Sequence, residues 1–213
     1  MTSETQKTQT RQALIAAGLH LFGHQGYAAT STRELAGRAQ TNIASIAYHF
    51  GGKSGLHQAC AREVANLITT AVGTMGAGGI PATPQEAQDR IEAMFRAIVM
   101  LLVGAPKAAD MVAFMMRELT TPGEVVDLIF DEFLEPRHKD MCSLWASATG
   151  RDADDEEVKL VIFSMLGQVI YFRIARPFVE RRMGWDGIDQ TETRKIADMI
   201  IANLRATLER QRL

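Results

Sequence analysis

The chain has 213 residues, 46% hydrophobic and 23% charged, with a formal net charge of −2; it is long and apolar enough for one or two domains with a sizeable core, which excludes intrinsic disorder. The longest apolar stretch, Ala97 to Ala105, is far below the roughly 20 residues a membrane span requires. The polar start, Met1 to Arg11, has no signal-peptide pattern, so no membrane partner is expected. Cys60 and Cys142 are far apart, without His or Cys at metal spacing. Neither a disulfide framework nor a zinc site is indicated, and a reducing cytoplasm is the expected setting.

The near-neutral total hides an asymmetry. Residues 1–60 carry Lys7, Arg11, Arg33, Arg38 and Lys53 against Glu4 and Glu34, a net +3, which leaves 18 basic and 23 acidic residues, a net −5, for 61–213. A basic head on an acidic body points to a polyanion partner for the head alone.

In chain order, Thr8–His24 places Leu14, Ala17, Leu21 and Phe22 on one helical stripe, with Thr8 or Thr10 as N-cap and Gly26 just past the end. Ser31-Thr32-Arg33-Glu34 is a capping box opening a short second helix. After a Gln40-Thr41 turn, Asn42 caps a third helix, Ile43 to Phe50, which Gly51-Gly52 closes; a fourth runs from Lys53 to about Val72. Residues 73–84 hold four glycines and two prolines and read as a flexible connection. Long helices follow at Pro84–Val103, Lys107–Glu118, Glu124–Trp145 with a kink at Pro136, Asp154–Arg176 bent or ended by Pro177, and Thr191–Gln211. The fold class expected is all-α, with a head over residues 1–56 and a larger helical body over 57–213.

A longer helix followed by two helices of about eight residues, joined by a tight turn, has the dimensions of a helix-turn-helix. A recognition helix must present small or hydrogen-bonding side chains so that its backbone can enter the major groove. Thr41, Asn42, Ala44, Ser45, Ala47 and Tyr48 meet that need, while Ile46 and Phe50 anchor the inner face. His49 is a further phosphate or base contact. Lys53 opens a helix, where the dipole disfavours a cation; a DNA phosphate accounts for it there. Thr30, Thr32 and Arg33 can hold the opposite strand, with Ser31 committed to capping. The histidines of the head, His20, His24, His49 and His57, are not spaced as a metal site with matching carboxylates, and neither metal nor cofactor is expected.

The runs Gly26-Tyr27-Ala28-Ala29-Thr30-Ser31-Thr32-Arg33-Glu34-Leu35-Ala36 and Asn42-Ile43-Ala44-Ser45-Ile46-Ala47-Tyr48-His49-Phe50, followed by Lys53 and Leu56, resemble the TetR-type transcriptional regulators over about the first sixty residues. The Asn-Ile-Ala-x-Ile-Ala-Tyr run, Phe114-Met115-Met116-Arg117-Glu118 and the helix from Gln168 to Pro177 are similar to the subgroup named after CecR. One departure is Gln40, where the family has glycine; a positive φ there would cost local strain. The resemblance implies control of efflux and drug sensitivity, and dimerisation through the last two long helices.

The body suggests a sensor and an interface. Met100, Phe114, Met115, Arg117, Trp145, Phe163 and Gln168 are the candidate lining of an effector pocket, adaptable apolar groups interrupted by polar ones. Val158, Ile162, Met165, Val169 and Phe172 form a stripe expected at a homodimer interface. The reading is a ligand-responsive repressor that binds a pseudo-palindromic double-stranded operator and is released by a small amphipathic effector. The alternatives are an effector-independent DNA-binding protein and an enzyme with a helical substrate pocket. The enzyme reading has against it the lack of a nucleophile elbow, phosphate loop or acid/base constellation in the sequence.

Overall fold

The computed structural model describes residues 3–76, 79–105, 108–121 and 123–212. Among them every regular element is helical.

Helix α1 (Ser3–Gln25) begins before the expected caps. Thr8 and Thr10 lie inside it, their hydroxyls donating one turn back to the carbonyls of Glu4 and Gln6 at 3.1 and 3.0 Å, a pattern open to threonine within a helix. Helix α2 (Thr32–Arg38) opens on the capping box: the Glu34 N–H donates to Ser31 Oγ, and the Ser31 N–H to the Glu34 carboxylate. It closes in a Schellman motif, with the Thr41 N–H on Ala36 O at 2.9 Å and the Gln40 N–H on Gly37 O at 3.2 Å. That motif needs a left-handed residue, and Gln40 supplies it at φ 52°, at a cost of about 1 kcal/mol relative to glycine.

Helix α3 (Ala44–Phe50) ends at left-handed Gly51. Helix α4 (Lys53–Gly76) follows at once and outruns the expected end near Val72. Its first turn lies so close to α3 that a Cβ at Gly55 would overlap the Phe50 carbonyl.

Two compact units emerge, interleaved in sequence where the composition suggests a single cut after residue 56. The first takes the described residues of 1–67 and 107–133, so that helix α6 (Ala108–Thr120) and the short α7 (Val126–Ile129) join the head. Helix α6 packs on α1 because Gly23 leaves room: a Cβ there would stand 2.7 Å from the Phe114 backbone nitrogen. In this core His57 Nε2 and Glu118 Oε1 pair at 3.0 Å, with side chains 2% and 4% exposed, and the His57 ring lies against Phe22, Tyr27 and Phe114.

The second unit holds the described residues of 68–106 and 134–213, with α5 (Pro84–Leu102), α8 (Glu135–Thr149), α9 (Glu156–Ile174), α10 (Arg176–Met183) and α11 (Gln190–Gln211). The single helix expected over Glu124–Trp145 is broken into α7, a π-helical turn at Phe130–Leu134, and α8. Pro136 follows the π-helical turn directly, and the N–H it lacks is one that an α-helix continuing through Phe130–Leu134 would use. Helices α9 and α10 meet at 74° just before Pro177. Polar ties close the unit: Arg205 donates to both Glu92 oxygens at 2.7 and 2.6 Å, and Trp145 Nε1 donates to Gln211 Oε1 at 2.9 Å.

The expected dimer stripe requires correction. Val158, Ile162, Met165 and Val169 are buried in this unit's own core, and Phe172 is half-buried. The opposite face of α9 is apolar too, with Leu160, Phe163, Tyr171 and Ile174 all exposed. A helix apolar on every side does not reveal from periodicity which face meets its own core.

Candidate nucleic-acid interface

The candidate surface is built by α3. Ile46 is buried and pins the helix to the head, which turns Asn42, Ala44, Ala47 and Tyr48 to solvent. Tyr48 is 70% exposed, a high value for an aromatic ring. Asn42 Oδ1 accepts the Ala44 N–H at 3.0 Å; its amide N–H groups are donors that base edges or phosphates can take. Thr41 and Ser45 are half-buried, their hydroxyls 3.0 Å apart, so the pair presents one shared polar edge. In α2, Arg33 is exposed and Thr32 half-buried.

Thr30 departs from expectation. Its side chain is buried, and its hydroxyl donates to the Gly26 carbonyl at 2.8 Å. It closes the turn between α1 and α2 and has no hydroxyl proton left for a phosphate.

Lys53 also has a local partner. Its Nζ lies 4.3 Å from the centroid of Tyr27, a cation–π contact worth about 0.5–1 kcal/mol, which offsets the dipole penalty at the start of α4. The contact holds the ammonium near that helix end. Gly55 serves the same arrangement by letting α4 start directly beneath α3.

Two basic residues were not singled out in the sequence. Lys7 Nζ lies 5.2 Å from the Tyr48 ring centroid and Arg11 Cζ 5.4 Å from that of Phe50. Their four-residue spacing on one face of α1 was the available signal. His49, half-buried beside Tyr48, has its pKa lowered by desolvation first, then by the charges of Lys7 and Arg11. Helix α3 thus has Lys7 and Arg11 beside its rings, with Lys53 opening the next helix and Arg33 exposed on α2, while its own surface offers small, hydrogen-bonding and aromatic groups.

The seven candidate effector residues are divided between the units. Phe114, Met115 and Arg117 lie in the first, and Met100, Trp145, Phe163 and Gln168 in the second. Arg117 donates to the carbonyls of Gly23 and His24 at the end of α1, while Phe114 is core. Trp145 is fully buried on Gln211. Phe163 stacks on His138 at 4.1 Å, and Gln168 accepts from Asn203 Nδ2 at 2.9 Å. An open cleft of the second unit, of about 750 Å³, is lined by other residues: Tyr171, Phe172, Phe178, Val179, Arg181, Arg182 and Met183.

The histidine spacing also needs correction. His20 and His24, one turn apart on α1, both face the Asp110 carboxylate of α6. Burial alone would raise the Asp110 pKa; hydrogen bonds from the two rings outweigh it and leave it below the ordinary value. Cys142, for its part, has His138 one turn before it, Nδ1 and Sγ 3.5 Å apart.

Residues 14–60 match the family described as bacterial regulatory proteins, tetR family, and residues 87–210 match the C-terminal domain of the HTH-type transcriptional dual regulator CecR. Among curated relatives, the HTH-type transcriptional dual regulator CecR of Shigella flexneri is 31% identical over 206 residues, covering 94% of this chain and 92% of the relative. The probable HTH-type transcriptional regulator YttP of Bacillus subtilis is 26% identical over 60% of this chain and 59% of its own length. Among solved structures, AibR in complex with isovaleryl coenzyme A and operator DNA superposes with a TM-score of 0.65 at 21% identity, over 90% of this chain and 96% of that one. A putative fatty acid metabolism regulator of Clostridium perfringens superposes at 0.66 and 14% identity, over 90% and 95%.

Proposed function

This chain belongs to the TetR family of DNA-binding transcriptional regulators, in its CecR-like branch, and is not an enzyme; from that premise we propose that it is a ligand-responsive repressor that holds a pseudo-palindromic operator as a homodimer. The observation that carries the proposal is the solvent-facing α3, with Tyr48 at its centre and Lys7, Arg11, Arg33 and Lys53 around it. Cations set affinity and position on the phosphates, and the exposed α3 groups read bases.

A single head covers one half-site, so a specific operator needs two heads related by a two-fold axis. The outer face of α9 suits the pairing. Leu160, Phe163, Tyr171 and Ile174 repeat along it, Met199 adds to it from α11, and the Gln168–Asn203 bond ties the two helices side by side. Gly167, exposed and with open space where a Cβ would stand, permits close approach of a partner helix.

The effector is an amphipathic small molecule. The cleft of Tyr171, Phe172, Phe178, Val179 and Met183, with Arg181 and Arg182 at hand, combines apolar walls with cations able to orient an acidic or polar end. AibR, captured with both a coenzyme A thioester and operator DNA, supports a regulator of this architecture meeting both kinds of partner. A hundredfold release from DNA requires about 2.7 kcal/mol of coupling, within the usual range.

Selection of bound sequences from random duplexes tests the proposal. An inverted repeat with half-sites about one helical turn, or a multiple of it, apart is expected; enrichment of no sequence, or of an unrepeated half-site alone, would overturn the dimeric repressor.

A further inference from the structure

Helix α1 carries His20 and His24 four residues apart, on one face, and Asp110 stands in the first turn of α6 within the same compact unit. His20 Nδ1 lies 3.0 Å and His24 Nε2 3.1 Å from the same oxygen, Asp110 Oδ1. The imidazole centroids are 4.6 Å apart, and the donor atoms all lie within 4.8 Å of one another. Side-chain exposures of 31%, 53% and 38% leave the group open to solvent.

Two rings converging on one carboxylate oxygen exceed what a helix contact needs. Gly23 already sets the approach of α6 to α1, and Arg117 already ties the end of α1 to α6. Two imidazoles at i and i+4 with a carboxylate from a second element are instead the donor set that borderline-soft divalent metals take. We propose that His20, His24 and Asp110 form a binding site for a divalent transition metal, Zn²⁺ foremost, which clamps α1 to α6.

The distances fit. Tetrahedral ligands at about 2.0–2.1 Å from zinc stand roughly 3.3 Å from each other, and the nitrogens are already 3.0 and 3.1 Å from the carboxylate oxygen. Small side-chain rotations open space for the ion at the centre. Each neutral ring turns a lone pair to the metal and carries its proton on its other nitrogen, and Asp110 binds as the carboxylate. Solvent supplies the fourth ligand, as exposure of all three side chains permits. Arg117, a cation bonded to the His24 carbonyl at 2.8 Å, opposes the added charge, so micromolar affinity is expected.

The test uses the full chain, stripped with chelator and titrated with Co²⁺ as a spectroscopic probe, then with Zn²⁺ as competitor, beside His20→Ala, His24→Ala and Asp110→Asn. The expected result is one Co²⁺ per chain with visible bands of imidazole ligation, displacement by Zn²⁺, and a Zn²⁺-dependent rise in Tm. Each substitution is expected to weaken binding by at least about tenfold and to abolish the rise in Tm. If His20→Ala or Asp110→Asn disturbs folding, His24→Ala decides, because its ring is the most exposed of the three. Wild-type protein that shows neither cobalt bands nor a zinc-dependent Tm would overturn the site, as would equal affinity in His24→Ala.

Discussion

Replacing Lys53 by alanine separates the two roles the structure gives it. In the free protein the ammonium sits 4.3 Å from the Tyr27 ring centroid, so Lys53→Ala should lower folding stability by about 0.5–1 kcal/mol, a small loss that leaves the head folded. On DNA it should remove one phosphate contact per subunit. Each phosphate neutralised contributes about 0.9 to the salt slope, so two contacts per dimer amount to about 1.8. Between about 50 and 200 mM salt, a fourfold change, the wild type should therefore lose about 12-fold more affinity than the variant. Because phosphates carry no sequence information, operator and random duplexes should show the same change of slope. Fluorescence anisotropy at several salt concentrations, on both duplexes, measures it. A slope unchanged from wild type, with Lys53→Ala folded, would refute the assignment of this cation to the backbone and reduce Lys53 to a partner of Tyr27.

Three further outcomes follow from the geometry. Glu118→Ala should destabilise the protein by about 1–3 kcal/mol in urea titration, since it leaves His57 Nε2 without its partner in a core where Nδ1 already has no hydrogen-bond partner among the described residues; Glu118→Gln, which keeps an acceptor for His57, should cost clearly less. The His49 pKa is lowered in the free protein by desolvation and by Lys7 and Arg11, and neighbouring phosphates would raise it, so binding should take up protons and operator affinity should increase as pH falls from about 8 to about 6; His49→Gln should flatten that dependence in anisotropy titrations. Tyr171→Glu, on the exposed face of α9, should weaken dimerisation by at least about 100-fold in sedimentation equilibrium while leaving the monomer folded, because about 2.7 kcal/mol is less than the cost of burying a charge in each copy of an apolar interface; Val169→Glu, whose side chain is core, should unfold the chain instead.

Local chemistry was legible in the sequence wherever it was short-range. The Ser31–Glu34 capping box, the Gln40 turn with its positive φ and the glycine closure of α3 involve residues within a few positions of each other, and each appears where the spacing places it. What the sequence hid depends on distant partners. Asp110 is 90 residues from His20 along the chain, so the sequence showed no carboxylate to match the histidine pair. Arg117, expected at an effector pocket, instead binds two carbonyls at the end of α1. The two faces of α9 are both apolar, so the packing of the second unit, rather than periodicity, selects Val158, Ile162, Met165 and Val169 for the core and Leu160, Phe163, Tyr171 and Ile174 for solvent. The reason for Gly55 inside a helix is the Phe50 carbonyl, visible only once α3 and α4 are placed.

The central claim, that α3 reads DNA sequence, rests most directly on Tyr48. Its ring is 70% exposed and touches Lys7, so Tyr48→Ala should lower folding stability by no more than about 0.5–1 kcal/mol and leave dimer mass unchanged. Affinity for the selected operator should fall by about 1–3 kcal/mol per subunit, while affinity for random duplex at the same salt concentration stays within about twofold of wild type. The ratio of the two constants, measured by anisotropy on wild type and variant side by side, is the decisive quantity. A collapse of that ratio in Tyr48→Ala is the predicted result; an unchanged ratio would contradict the account, because the large exposed ring of the proposed recognition helix would then contribute nothing to recognition.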